Sequence, residues 1–274
     1  AGAYIVGEET AMLESIEGKK GFPRYKPQFP ALKGLFGCPT IINNVETLAS
    51  VPKILDNGSN WFKSIGTEAS PGFKCFSVSG HVNKPGNYEI PLGTSFETLL
   101  DLAGGMKNGK NLKAVIPGGS SVPVLPGDIM MKTNMDYESI ANAGSLLGSG
   151  AVIIMDETTN MVEVIHRIAR FYYSESCGQC TPCREGTGWM YKVIDKIIKG
   201  HGTLDDIKTL ESIPKMISGS TICALGDAAA MPVESFINHY RHEFLSYIKK
   251  ENKVENSNAK SNLYNNKEFV LHKK

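Results

Sequence analysis

The sequence predicts a multidomain protein of the α/β class, in which a small β-rich module lies between an N-terminal unit of helices and loops and a C-terminal helical bundle. Apolar and polar residues alternate along 73–80, which is typical of a strand with one buried face, whereas apolar residues recur every three or four positions from Thr159 onward. At 274 residues, with 41% hydrophobic and 21% charged residues, the chain is long enough for more than one core. We expect four segments, with boundaries at 1–71, 72–157, 158–248 and 249–274.

The N-terminal unit opens with the apolar run 3–6, which predicts a buried strand. Gly7 then permits a turn into a helix that begins near Glu8. Prolines and glycines are concentrated between 18 and 39, which predicts an extended loop. A second helix is expected after Asn44, because asparagine is a common cap at helix starts.

The middle segment has the pattern of a small β-grasp-like module. A hairpin is expected from the strands at 73–80 and 88–90, which flank a turn rich in proline, glycine and asparagine. A short helix at 95–103 ends at two glycines, and further strands are predicted at 113–116 and 151–155.

The C-terminal segment predicts four helices, which begin after Thr159, Thr187, Thr203 and Gly226. Their apolar faces are expected to pack into a bundle. The tail 249–274 is rich in asparagine and lysine, so we predict that it is disordered and assign it no function.

The cysteines carry the clearest chemical pattern. Cys177, Cys180 and Cys183 are spaced by two intervening residues, and Cys223 follows from a distant loop. Three thiolates on one loop and a fourth from elsewhere are the ligand pattern of a [4Fe–4S] cluster, which indicates electron transfer. A Cys₄ zinc site that staples an interaction module is the alternative, although zinc normally draws two pairs of cysteines from two loops. Disulfides are disfavoured, since thiols this crowded cannot all pair.

Other titratable residues are interpreted structurally. Cys38 and Cys75 have no ligand spacing, so we expect small buried apolar residues. His166 lies within a helical pattern and is expected to be structural.

Charge and hydropathy exclude two classes of partner. A net charge of +1 offers no basic surface for nucleic acid. No apolar run approaches the roughly 18 residues that a membrane-spanning helix needs, so membrane contact is expected only through partner proteins. The chain begins within an apolar run and without methionine, and we expect a fragment of a longer protein.

Four motifs in order resemble the flavin- and NADH-binding subunit of respiratory complex I, the NADH:quinone oxidoreductase. They are the segments 4–10 (YIVGEET), 26–30 (KPQFP), 43–47 (NNVET) and the cysteine pattern. The resemblance covers the C-terminal two-thirds of that protein. It implies the end of an α/β flavin-binding domain, a small β-grasp-like module of the SLBB or ubiquitin-like kind, and a four-helix bundle that holds the [4Fe–4S] cluster.

The resemblance also implies a set of cofactor-binding residues. FMN and NADH contacts would come from Tyr4, Gly7, Glu8, Glu9, Lys26, Phe29, Asn43, Asn44 and Thr47, with Glu9 as the catalytic position. By themselves these residues have simpler interpretations. Glu8 and Glu9 are suited to a helix N-terminus, Asn43 and Asn44 to a cap, Phe29 to a core, and Lys26 to solvent. In the family a glycine-rich segment upstream wraps the flavin phosphate, and it is absent from this sequence.

The implied function is electron input to complex I. Hydride would pass from NADH to FMN, and single electrons would pass to the [4Fe–4S] cluster and on to partner subunits. The implied partners are a thioredoxin-like [2Fe–2S] subunit and a multi-cluster iron–sulfur subunit, at the inner face of a bacterial membrane or on the matrix side of a mitochondrial one. The diaphorase subunit of an NAD-linked hydrogenase or formate dehydrogenase shares the same motifs and remains open.

Overall fold

The computed structural model describes residues 2–254 and has a mixed α/β architecture. Its helices are α1 Glu9–Ile16, α2 Val45–Asn57, α3 Ser59–Lys63, α4 Phe96–Leu102, α5 Gly127–Met130, α6 Tyr137–Asn142, α7 Met161–Glu175, α8 Thr181–Ile198, α9 Leu204–Ile217 and α10 Leu225–Val254. Its strands are β1 Phe73–Gly80, β2 Gly86–Pro91, β3 Leu112–Ile116, β4 Leu125–Pro126 and β5 Ala151–Asp156. No helix among these residues is long and apolar enough to cross a membrane.

The middle module is a five-stranded sheet in the order β2-β1-β5-β3-β4. β1 forms the predicted antiparallel hairpin with β2 and pairs in parallel with β5. Helix α4 packs on the sheet through Phe96 and Leu99, and both side chains are fully buried with Phe76 in one core. β4, α5 and α6 are short additions that the sequence did not predict.

The alternation of buried and exposed side chains along β1 explains why the prediction of a buried Cys75 is wrong. Phe76 and Val78 point into the core, so Cys75 points out of the opposite face and is exposed. Cys38, in the loop after α1, is exposed as well. The expectation that both are buried apolar residues is wrong, because a thiol follows the face or loop on which it lies.

The end of β5 is held by a buried carboxylate. Asp156 is 3% exposed and accepts hydrogen bonds from the backbone and hydroxyl of Thr158 at 3.0 and 2.7 Å. Lys110 and His81 lie 3.3 Å from its two oxygens. Hydrogen bonding from Thr158 is the largest cause that lowers the pKa of Asp156 from 3.8 to about 2.

Asp156→Asn is expected to lower the free energy of unfolding at neutral pH, since the lysine and imidazole then face a neutral amide. The native pKa lies below the unfolded value, so the stability from the carboxylate is present above the unfolded pKa and is lost as pH falls towards about 2. The difference between wild type and variant in urea unfolding should therefore shrink steadily below about pH 5. Asp205→Asn, at an exposed site of α9, is the control, and a pH-independent difference for Asp156→Asn would contradict the assignment.

Helices α7 to α10 pack on one another around a second core. Asn160 caps α7, and Thr203 with Asp206 forms a capping box at α9. Phe171 of α7 is 38% exposed, while its neighbour Tyr172 is buried. His166 lies 3.0 Å from Asp195 of α8 and stacks on Tyr191, which is the structural role expected for it.

The last helix is longer than predicted. α10 runs through Pro232 and continues beyond Ile248 to Val254, so the predicted start of the tail at Lys249 lies within the helix. The rest of the tail, 255–274, lies outside the described residues.

The first residues differ from the prediction. Tyr4–Gly7 is a 3₁₀ helix in which Val6 N–H donates to Ala3 O, and Glu8 N–H donates to Ile5 O. A strand needs a neighbour to accept its backbone hydrogen bonds, and every strand in the described sheet begins at or after Phe73. Local turns satisfy these groups instead.

Residues 18–39 form the predicted loop, and α2 begins after the predicted cap Asn44. Helix α2 contains no buried residue, and Val45, Leu48 and Leu55 are each more than half exposed. Glu46 ties the helix to β1 through Lys74 Nζ at 2.7 Å and the backbone N–H of Cys75 at 2.8 Å. An apolar face of this size on a helix indicates a surface that normally has a partner.

Candidate metal centre and adjoining cavity

The four predicted ligand cysteines all border the second core. Cys177 and Cys180 lie in the loop between α7 and α8, Cys183 lies in the first turn of α8, and Cys223 lies in the loop before α10. Cys183 is 5% exposed, and the other three are partly buried against the same core. Burial is the largest cause that raises the pKa of Cys183 to about 11, and charge on the other three thiols is a smaller cause in the same direction. The sequence-distant thiols are therefore neighbours.

Local hydrogen bonds shape both cysteine loops. Arg184 donates through its guanidinium to Gly178 O at 3.2 Å, and through its backbone N–H to Cys180 O at 3.0 Å. Thr221 Oγ1 donates to Cys223 O at 2.7 Å. Gly178 has φ +77°, which few residues other than glycine adopt, so the turn between the first two cysteines is set by the sequence.

Two glycines allow the cysteine-bearing helices to approach α9. A Cβ at Gly186 of α8 would lie 2.6 Å from the side chain of Ile217, and one at Gly226 of α10 would lie 3.0 Å from the same side chain. Ile217 is 1% exposed. Its side chain therefore lies against both helix starts and fixes the positions of Cys183 and Cys223.

In kind and number, the four thiols are the donors that an iron–sulfur cube takes. Within residues 2–254 no group of three or more His, Cys, Asp or Glu side chains has the spacing for a metal ion. A [4Fe–4S] cube takes one thiolate at each of its four iron corners, so its ligands need not converge on one point. Helix α8 has no side-chain cap at Cys180, so N–H groups of its first turn remain to face a negative group.

A cavity of about 430 Å³ joins the cysteine region to the first residues of the chain. Its lining comes from the 3₁₀ helix, one loop of the β module and the start of α10: Tyr4, Ile5, Gly7, Glu8, Ser121, Cys223, Ala224, Leu225 and Ala228. Tyr4, Gly7 and Glu8 were predicted on the flavin side, and Cys223 as a metal ligand. Sequence reasoning missed Ser121 and the start of α10, because nothing in the local pattern marks them.

Tyr4 is anchored to α7. Its ring meets Phe171 and Tyr172 edge to face, with ring centroids 5.0 and 5.9 Å apart, and its backbone N–H donates to Glu175 at 2.9 Å. The ring remains 43% exposed. It is therefore fixed and still accessible to a ligand.

Glu8 and Glu9 have different environments. Glu8 Oε2 accepts hydrogen bonds from the backbone N–H groups of Thr10 and Ala11, at 2.9 and 2.8 Å, and so caps α1. The side chain of Glu9 is 44% exposed and lies 3.5 Å from Lys26 Nζ, which belongs to the following loop. The structure thus brings Glu9 and Lys26 together at the surface.

The loop that carries Lys26 and Phe29 is braced by Arg24. Its guanidinium contacts Glu14 at 2.5 Å, Glu17 at 2.8 Å and the backbone oxygen of Gly34 at 3.1 Å. The Lys19 ammonium is the largest cause that lowers the pKa of Glu17, to about 2. Phe29 is 53% exposed, so it does not take the core position that its residue type favours.

Asn43, Asn44 and Thr47 lie apart from the cavity. All three are exposed, and no residue of α2 lines the cavity. Asn44 Oδ1 accepts from Glu46 N–H at 2.7 Å, which is the capping role.

Comparisons with known proteins agree with the cysteine and sheet patterns. Residues 163–247 match the family described as the NADH-ubiquinone oxidoreductase-F iron-sulfur binding region, and residues 74–154 match the SLBB domain. The F subunit of the NADH-quinone oxidoreductase of Rickettsia rickettsii is 55% identical over 91% of this chain, and that of Mycobacterium bovis is 53% identical over 90%. The chain spans 59% and 56% of the lengths of these relatives. A crystal structure of an NAD⁺-reducing [NiFe]-hydrogenase in the air-oxidized state superposes with a TM-score of 0.84 at 37% identity, covering 90% of this chain and 42% of that one.

Proposed function

The chain is similar over 91% of its length to the F subunit of NADH-quinone oxidoreductase, and from this likeness we propose that it supplies the C-terminal part of the electron-input subunit of respiratory complex I. In that role it takes part in the oxidation of NADH through FMN and in electron transfer to a [4Fe–4S] cluster. The observation that supports the proposal is that one helical core borders all four cysteines, Cys177, Cys180, Cys183 and Cys223, whose charges interact.

Helices α7 to α10 are proposed as a four-helix bundle that holds the cluster, within a segment 158–248. When bound, the cluster supplies one-electron transfer. The chain's own residues hold four thiolates in fixed positions, and the apolar core around Cys183 excludes water from one side of the site. The N–H groups at the start of α8 favour the negative charge of the cluster and its thiolates.

The face beside the cavity is proposed to meet the flavin. Tyr4, Gly7 and Glu8 line the same cavity as Cys223, so a flavin bound against them would lie on the same side of the protein as the proposed cluster. Electrons could then pass from flavin to cluster without crossing another domain. The proposed segment for this face is 1–71, and the β-grasp module occupies 72–157.

The surface near Glu9 is proposed to meet NADH. Glu9 is the proposed catalytic residue, and Lys26 is a cation suited to a pyrophosphate. Phe29 offers an exposed ring on which a base can stack.

The start of α2 is proposed to bind polar groups of FMN through Asn43, Asn44 and Thr47, since a helix N-terminus favours anions. These residues lie apart from the cavity lining, and the apolar face of α2 beside them is exposed. We therefore propose that further protein, packed on this face, completes the FMN site.

The partners proposed are other subunits of the complex, in particular a thioredoxin-like [2Fe–2S] subunit and a multi-cluster iron–sulfur subunit. Contact with the membrane would be peripheral, at the inner face, and made through those partners. The diaphorase subunit of an NAD⁺-reducing hydrogenase is the second candidate, favoured by the superposition at a TM-score of 0.84. Identity of 55% to the complex I relative against 37% to the hydrogenase chain favours complex I.

Metal and sulfide analysis of protein purified without oxygen tests the proposal. We expect about four irons and four sulfides per chain and an EPR signal after reduction with dithionite. One zinc without sulfide would instead support the Cys₄ interaction module. Identification of the subunits that copurify with the native chain separates complex I from a hydrogenase.

A further inference from the structure

Gln179 carries an unpaired polar atom inside the three-cysteine loop. It lies between Cys177 and Cys180, and its Oε1 is buried with no hydrogen-bond partner among the described residues. The other buried oxygen in the same condition, on Glu243, lies 2.7 Å from Lys113 Nζ and so has a charged neighbour. A buried amide oxygen without a partner costs free energy, so its presence in this loop requires an explanation.

The shape of the loop does not depend on this amide. Gly178 supplies the positive φ, and Arg184 supplies the hydrogen bond to Gly178 O. Arg184 also contacts Glu185 at 3.1 Å, so its guanidinium has partners of its own. An apolar side chain at Gln179 would leave these contacts in place and would remove the buried orphan.

A bound iron–sulfur cluster would provide hydrogen-bond acceptors for the side-chain amide of Gln179. Cysteine thiolates and inorganic sulfides are hydrogen-bond acceptors, and an amide turned about its last torsion presents two N–H donors in place of its oxygen. Hydrogen bonds to cluster sulfurs stabilise the reduced, more negative state and raise the reduction potential. We propose that the side-chain amide of Gln179 donates to the sulfur ligands and raises the reduction potential of the cluster. This inference rests on the proposed cluster function.

Substitution of Gln179 separates a tuning role from a structural one. Gln179→Met keeps the length and removes the donor, whereas Gln179→Lys keeps a donor. The readout is the midpoint potential from an EPR-monitored redox titration, on proteins whose iron and sulfide content has been measured. We expect the Met variant to keep its cluster but to have a lower midpoint potential. The equilibrium constant for reduction should fall about tenfold, which corresponds to about 59 mV for a one-electron step. The Lys variant should stay at or above the wild-type value.

Gln28→Met is the matched control, since Gln28 lies in the loop after α1. The cluster in this variant should have the wild-type potential. If Gln179→Met assembles poorly, Gln179→Leu provides a second donor-free variant. A donor-free variant with full iron and a wild-type potential would overturn this inference and leave the proposed function standing. Wild-type protein without iron and sulfide would overturn both.

Discussion

Replacing Cys183 by alanine is expected to abolish the [4Fe–4S] cluster, with iron and sulfide falling from about four per chain to background. Cys183 is 5% exposed, so water cannot easily reach the vacant corner of the cluster. Cys177 and Cys180 are only partly buried, and at those positions a solvent ligand can enter. Cys180→Ser is therefore expected to give an altered or three-iron species where Cys183→Ala gives none. Iron and sulfide analysis with EPR of the reduced proteins measures both outcomes.

The chain offers matched controls for this experiment. Cys38 and Cys75 are exposed and lie outside the four-thiol group, so Cys38→Ala and Cys75→Ala should keep the full iron content. An unchanged EPR signal in Cys183→Ala would remove Cys183 from the ligand set. Equal losses in all the variants would show that the method of preparation, and not ligation, determines the iron content.

The sequence was most informative where a residue type, or the spacing of apolar residues along the chain, has a single physical interpretation. Alternation at 73–80 can bury only one face, and the structure has a strand there with Phe76 and Val78 inside. The cysteine spacing anticipated that three thiols would be neighbours, because they lie within one short loop and the first turn of the helix that follows it. The fourth, Cys223, could be joined to them only through the ligand count of a cluster, since its position depends on how α9 and α10 pack.

The sequence was least informative where tertiary contacts determine the local conformation or bring distant residues together. The run at 3–6 is apolar enough for a strand, yet no strand lies beside it in the described residues, and a 3₁₀ helix forms. The cavity that joins Tyr4 to Cys223 depends on Tyr4 docking against α7, which no local pattern records. Asn44 was assigned both a cap and a ligand role from sequence, and the structure displays the cap alone.

Phe236 is expected to make a large contribution to the stability of the helical segment. Phe236 of α10 is fully buried in the core that also supports the cysteine loops. Phe236→Ala should lower the free energy of unfolding by about 3–5 kcal/mol, because it removes a large apolar side chain and leaves a cavity in a close-packed region. Phe29→Ala, at an exposed loop position, should change it by less than about 0.5 kcal/mol.

Urea unfolding followed by far-ultraviolet circular dichroism measures the effect of Phe236→Ala, because α7 to α10 supply most of the helix. The β module has its own core, in which Phe76 and Phe96 are fully buried and Phe236 takes no part. If the two cores unfold separately, the variant should shift only the helical transition, and that transition should also mark the loss of bound iron. A shift confined to the β module, or a wild-type midpoint, would contradict the role of Phe236 in supporting the metal centre.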